Sequence, residues 1–187
     1  NDMKMFYVLV LGLVLAGCGG EGSPTAAKPV EAAQLCPGSM GITAEKLFSN
    51  MDAGLKATNA PVNILDKSVT PNECGYQVQM VTGFGAVFIQ LNPQQEVLSL
   101  GAGYDNSSNL ADNTRNLFAV IQTVVSTNGT AKLGETEIGK TLFSAAADTV
   151  LAAKESGSAS KDLTYGGNLY TVTVEGKTVA MLTRKQF

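Results

Sequence analysis

The chain of 187 residues contains no histidine, no tryptophan and only three cysteines. The missing histidine excludes the most. A Ser-His-Asp or Cys-His nucleophile needs an imidazole to accept a proton near neutral pH, and the common zinc sites use His beside Cys or carboxylate. Most hydrolase and zinc-enzyme chemistries fall away, and neither a metal nor a cofactor is expected. Basic residues are few as well: 13 Lys plus Arg against 16 Asp plus Glu leave a net charge of −3. They are scattered, so the electrostatic footprint of a nucleic-acid-binding protein is missing. There is also no CxxC, which weakens a redox or metal reading of Cys36 and Cys74.

What is present begins at the N-terminus. Lys4 supplies a positive charge, Met5 to Leu15 (MFYVLVLGLVL) carries none, and Ala16, Gly17 and Cys18 follow. Charge, apolar run and small residues in that order make a secretory signal. The run is shorter than the roughly 20 apolar residues that a bilayer-spanning helix needs. Leu15-Ala16-Gly17-Cys18 resembles the lipobox of bacterial lipoproteins, whose signal is cut just before a cysteine that carries diacylglycerol on its sulfur. The resemblance implies that residues 1–17 are removed and that Cys18 becomes the lipidated first residue. More than one acyl chain would then hold the protein to a membrane, beyond the marginal binding of a single chain. In Gram-negative lipoproteins an Asp after the lipidated Cys favours the inner membrane; for a Gram-negative source, Gly19 here implies the outer membrane, facing the periplasm.

Residues 18–34 comprise the lipidated Cys and a stretch of small and Pro residues, Gly19 to Gln34 (GGEGSPTAAKPVEAAQ), that reads as a flexible tether. Residues 35–187 are expected to form a single α+β domain. With Cys18 carrying lipid, Cys36 and Cys74 are an even pair in an oxidising compartment, and a disulfide between them is predicted.

Within the domain, Thr43 to Ala57 places Ala44, Leu47, Phe48, Met51 and Leu55 on one helical stripe, with Thr43 as N-cap. Tyr76 to Met80 alternates as a half-buried strand. Ala86 to Leu91 follows, and Asn92 to Gln95 turns the chain into Glu96 to Leu100. A second helix spans about Leu110 to Val125 and stops at Asn128-Gly129. A third, about Lys140 to Lys154, is expected to bury Leu142, Phe143, Ala146, Ala147, Val150 and Leu151. After a loop from Glu155 to Lys161, the runs Leu169 to Val174 and Thr178 to Thr183 flank Glu175-Gly176-Lys177 as a hairpin. The architecture expected is an antiparallel sheet with helices packed mainly on one face. Shared Leu-Phe-Ser in the first and third helices, and Tyr76 to Met80 beside Tyr170 to Val174, suggest two related helix-plus-meander units.

Three motifs invite catalytic or ligand readings and do not support them. Gly134 to Thr141 (GETEIGKT) fits the P-loop pattern. Asn128 to Leu133 is no buried strand to feed such a loop, and Glu135 and Glu137 would set two carboxylates in the phosphate cradle. No nucleotide is expected, and Gly139 and Lys140 are read as a helix start. Ser158 to Lys161 matches SxxK, but the chain lacks the companion SDN and KTG motifs, and the segment reads as a mobile loop. Asp105 to Asn116 is rich in oxygen ligands without EF-hand spacing; helix capping by Ser107, Ser108 or Asn109 explains it.

The function expected is non-enzymatic: a lipid-anchored protein that binds or helps assemble an envelope protein partner. Leu110 to Thr183 is similar, in element order, to small outer-membrane lipoproteins with two helices and a three-stranded sheet that assist barrel assembly. The alternatives are a carrier of a lipid or other apolar ligand held between sheet and helices, and an inhibitor or immunity protein. A closed apolar cavity would favour the carrier and an exposed apolar patch the partner-binding role.

Overall fold

The computed structural model describes residues 36–58, 63–129 and 135–186. The signal segment, Cys18, the tether and Gly134 lie outside the described residues. Residues from Cys36 onward gather into one compact unit. Its elements are α1 (Ala44–Ala57), β1 (Ile64–Asn72), β2 (Gly75–Thr82), β3 (Ala86–Leu91), β4 (Val97–Asp105), α2 (Leu110–Val125), a short 3-10 turn (Ser126–Asn128), α3 (Glu137–Ser156), β5 (Ser158–Tyr165), β6 (Asn168–Glu175) and β7 (Thr178–Lys185).

All seven strands form one antiparallel sheet in the order β1-β2-β3-β4-β7-β6-β5. Two meanders therefore meet at their last strands, β4 and β7. Alternation along the strands sends Val78, Met80, Val87, Ile89, Leu100, Ala102, Tyr170, Val172, Val174, Val179 and Met181 to one face, where they share a core with Leu47, Met51 and Leu55 of α1 and Leu142 of α3. Leu47, Ile89, Leu100, Ile121 and Leu142 are completely buried. Each such side chain contributes about 1.5–3 kcal/mol over an exposed one. The fold class read from the sequence is the one observed.

Local signals account for most element ends. The Thr43 hydroxyl caps α1 by accepting the N–H of Lys46, and Asn109 caps α2 by accepting from Ala111 and Asp112. Gly157, in the left-handed conformation at φ 81°, ends α3. Close packing of α1 on α2 depends on Gly54, where a Cβ would stand 2.3 Å from Nε2 of Gln122. Across the same contact, Asn50 Nδ2 donates to the Ser126 carbonyl at 2.9 Å.

Three segments differ from the sequence reading. Strand β1 was not expected, because Ile64 to Asn72 (ILDKSVTPN) has no clean alternation and contains a Pro. Its nine residues are all exposed, so there was no buried face for a period to mark. The helix expected from Lys140 begins instead at Glu137, with Thr136 as cap accepting the Gly139 N–H at 3.1 Å. The loop expected over Glu155 to Lys161 is the end of α3 followed by β5. The signal for β5 lay downstream, in Gly166-Gly167. Both glycines have positive φ, 59° and 75°, as the two central residues of a tight hairpin turn require.

The internal similarity maps onto the sheet in an orderly way. The segments Tyr76 to Met80 and Tyr170 to Val174 are both the second strand of a meander, and the helices sharing Leu-Phe-Ser, α1 and α3, each precede that meander's first strand. Helix α2 and strand β4 are the parts without a counterpart.

Candidate functional site

Helix α2 changes character halfway. Its first nine residues, LADNTRNLF, include none that is buried, whereas Ala119 to Val125, AVIQTVV, are buried without exception. A stretch that is apolar on nearly all sides belongs inside, and a polar one outside. The C-terminal half is thus enclosed in the core while the N-terminal half runs along the surface, carrying Leu110 and Phe118 with it.

Helix α3 presents a second surplus of apolar side chains. The sequence expects Phe143, Ala147, Val150 and Leu151 in the core beside Leu142 and Ala146. The structure corrects this: Ile138, Leu142, Ala145, Ala146, Thr149 and Ala153 are buried, Val150 is half-buried, and Phe143, Ala147 and Leu151 are exposed. Two overlapping apolar stripes run along α3, and hydrophobic periodicity cannot choose between them. The one rich in alanine faces inward, since small side chains let the helix lie close to β5 and β6.

The chain path sets α2 and α3 antiparallel. Strand β4 ends at Asp105, opposite Thr178, so α2 starts at that end of the sheet. Its far end reaches Asn128, whose Nδ2 donates to the Tyr170 hydroxyl near the start of β6. Helix α3 then returns to Gly157, whose carbonyl accepts the N–H of Gly176 at 3.1 Å, back at the first end. The surplus side chains of the two helices meet in this arrangement. Phe118 and Phe143 stack with ring centroids 5.4 Å apart and planes inclined by 11°. They remain 37% and 40% exposed, and Leu151 and Leu110 are 60% and 78% exposed. Aromatic pairs of this kind are commonly enclosed; here water meets a good part of both rings.

Polar chemistry around the strip is sparse. Asp112 and Arg115 pair at 3.3 Å, and Asp148 pairs with Lys161 of β5 at 2.8 Å. All four side chains are well exposed, so each pair adds at most about 1 kcal/mol. In the sheet, burial pushes the Tyr104 phenol up to about 12, which keeps it protonated and unsuited to act as a base near neutral pH. No group of three or more Cys, Asp or Glu among the described residues is placed to hold a metal ion.

The residues singled out in the sequence fall in separate places. Cys36 and Cys74 form a disulfide, Cα atoms 5.5 Å apart, that ties the start of the domain to the β1–β2 turn. Cys18 lies outside the described residues, as does Gly134. Glu137 to Thr141 are the opening turn of α3. Ser158 and Lys161 sit on β5, three residues apart in a strand and hence on opposite faces, a geometry no Ser-Lys nucleophile uses. The loop reading of that motif is corrected with it. Asp105 to Asn116 serves the α2 cap, where Asn109 caps and Ser107 exchanges hydrogen bonds with Asn113. The open face of the sheet, opposite the helices, carries Gln77, Gln79, Thr171 and Thr173 around Phe88 and Leu182.

Phe143, Ala147 and Leu151 are thus residues that the sequence placed in the core and the structure places outside, and Leu110 and Phe118 of α2 lie outside with them. One signal could have found them: α2 and α3 together carry more large apolar residues than one helical face each can bury. No family model, no curated protein and no solved structure matches this chain.

Proposed function

We propose that the protein is an envelope lipoprotein, anchored through lipid on Cys18, whose folded domain binds a protein partner and catalyses nothing. The observation that carries the binding reading is the exposed strip formed by the stacked Phe118 and Phe143 with Leu151 about two turns further along α3. Large apolar side chains that a domain leaves outside its core, aromatic ones above all, are what protein interfaces are built on. The lipobox-like Leu15 to Cys18 and the small-residue tether support the anchored location. A disulfide between Cys36 and Cys74 suits an oxidising compartment.

Chemical crosslinking of the full-length chain in its own envelope tests the binding reading. The expected result is an adduct of protein mass with the native chain, lost in the F118D/F143D double variant while the circular dichroism of that variant stays native. The same adducts with native and double variant would overturn the strip as the site. A persistent bound mass of lipid size in native mass spectrometry, in place of any adduct, would favour the carrier instead.

A further inference from the structure

Strand β5 ends the sheet without the devices that guard β1. At β1 a bulge between Ile64 and Asp66 breaks the register, Pro71 has no N–H, and Asp66 Oδ1 takes the N–H of Lys67 at 2.8 Å. Strand β5 has no proline and keeps an unbroken register from Ser158 to Tyr165. The two-residue turn Gly166-Gly167 makes Tyr165 and Asn168 a hydrogen-bonded pair, and the bond from Gly176 to Gly157 keeps the same phase at the other end. Ser158, Ser160, Asp162 and Thr164 therefore direct their N–H and C=O groups away from β6, and β5 is the last strand in the sheet order. The Ser156 hydroxyl takes the Ser158 carbonyl, which leaves Ser160, Asp162 and Thr164 as an exposed run. Side chains do not cover it. The Ser160 hydroxyl donates to the Val172 carbonyl at 3.2 Å and Asp162 Oδ1 accepts from the Thr171 hydroxyl at 2.7 Å, so both are turned back over β6. Lys161, between them, is drawn up to Asp148 of α3 at 2.8 Å. We propose that this edge is a second interaction surface, beyond the strip on α2 and α3, and that its partner is an extended protein segment of alternating basic and apolar residues, added to β5 as an eighth strand.

Backbone, burial and charge each specify part of that occupant. Unpaired N–H and C=O groups at the spacing of a strand are matched by another strand, whose main chain supplies the affinity and whose alternate side chains supply the selectivity. On the helix side, Ala159 and Leu163 are half-buried against the core. A strand added there sets every second residue beside them, where apolar side chains fit. The intervening residues fall on the other face, where Asp162 stands at the edge and Glu175 at the end of β6. Basic side chains complement both. Glu155 lies seven residues from Asp148, hence on the flank of α3 that overlooks β5, and adds to the negative margin. The nearby bases are paired or set back: Lys161 is held by Asp148, and Lys177 and Lys185 flank β7, two strands in. A second β5 does not fit this description, because on the face away from the helices it carries Ser160, Asp162 and Thr164 and no base.

The test measures amide exchange in the full-length chain held in detergent, with a synthetic peptide of alternating Lys and Val as the probe and one of alternating Glu and Val as the control. With the Lys peptide, the N–H groups of Ser160, Asp162 and Thr164 should exchange about tenfold more slowly, while those of Lys161 and Leu163, already bonded to β6, keep their rates. Slowing at β1, or at no strand, would overturn the edge as the site, and equal slowing by the Glu peptide would overturn the basic partner. The same slowing with rising protein concentration and no peptide would mean that a second copy fills the edge, and would overturn the occupant named. D162P removes one outward N–H where an edge strand tolerates proline, and should abolish the protection at Ser160 and Thr164 with circular dichroism unchanged. D162K keeps every backbone group and should weaken binding of the Lys peptide about threefold. Protection that survives D162P would overturn the edge, and binding unchanged by D162K would overturn the charge match.

Discussion

The two edges of the sheet are built on opposite plans. Strand β5 lies under α3, with Ala159 and Leu163 partly buried against the core and Lys161 paired to Asp148 of the helix. Strand β1 at the other edge has every residue exposed, Ile64, Leu65 and Val69 included. What holds β1 is covalent and polar. The Cys36–Cys74 disulfide closes on its turn, Asn72 and Gln90 exchange two side-chain hydrogen bonds at 2.7 and 2.9 Å, and Lys67 lies over the Phe48 ring at 4.8 Å. The comparison shows that an edge strand without a core face must be fastened at its end. It must also be guarded against pairing with another chain. The two-residue turn makes Asn72 and Gly75 a hydrogen-bonded pair, which directs the backbone groups of Lys67, Val69 and Pro71 outward. Pro71 has no N–H to offer, and the Lys67 N–H is already taken by Asp66 Oδ1 at 2.8 Å.

Removing the fastening should have the largest effect. The disulfide spans a sequence separation of 38, for which loop-closure entropy amounts to about 4 kcal/mol. The paired variant C36S/C74S should lose roughly that in denaturant unfolding, and amide exchange should rise first in β1 and the β1–β2 turn. Exchange rising equally in β5 would erase the contrast between the edges. Next come matched truncations on the two sides. L142A, under which β5 and β6 pack, should cost about 3 kcal/mol as a cavity in the core. V69A on β1 should stay within about 0.5 kcal/mol, as surface changes do. A cost for V69A near that for L142A would mean that β1 has a hidden apolar support. The polar clasp lies between those two: N72A loses both bonds to Gln90 and the cap on the Cys74 N–H, and should cost about 1 kcal/mol by thermal unfolding.

The strip on α2 and α3 poses the same question as β1, with the opposite answer. On β1 the exposed apolar residues sit on a strand in which Lys67 and Pro71, two of the three outward-facing positions, offer another chain no free N–H. On the helices, whose backbone groups are satisfied internally, exposed apolar side chains pay no such penalty and remain available for side-chain contacts. That difference is why the helix layer, and not the β1 edge, is the more suitable place for docking.

Legibility followed burial. Strands β2, β3, β6 and β7 are each buried against the core; alternation marked β2, β6 and β7, and the apolar run after Gly83 and Gly85 marked β3. Strand β1 has none, and it went unread. Strand β5 has only Ala159 and Leu163 partly inside, too little to set a period against its Ser, Lys and Asp residues. Caps were read where a side chain must satisfy a free backbone N–H, as at Thr43 and Asn109, and missed by one turn at Thr136, where the P-loop pattern drew attention to Gly139 and Lys140.

By itself the sequence determined the class of the fold, the disulfide and the positions of three helices, because periodicity, capping and cysteine parity act locally or by elimination. It also excluded histidine chemistry outright. Only the tertiary structure decided which of two apolar stripes on α3 would face the sheet, and how far α2 would enter the core. Those outcomes depend on the distance at which helices settle on β-strands, a property of all the side chains between them, and they are what left Phe118, Phe143 and Leu151 on the surface.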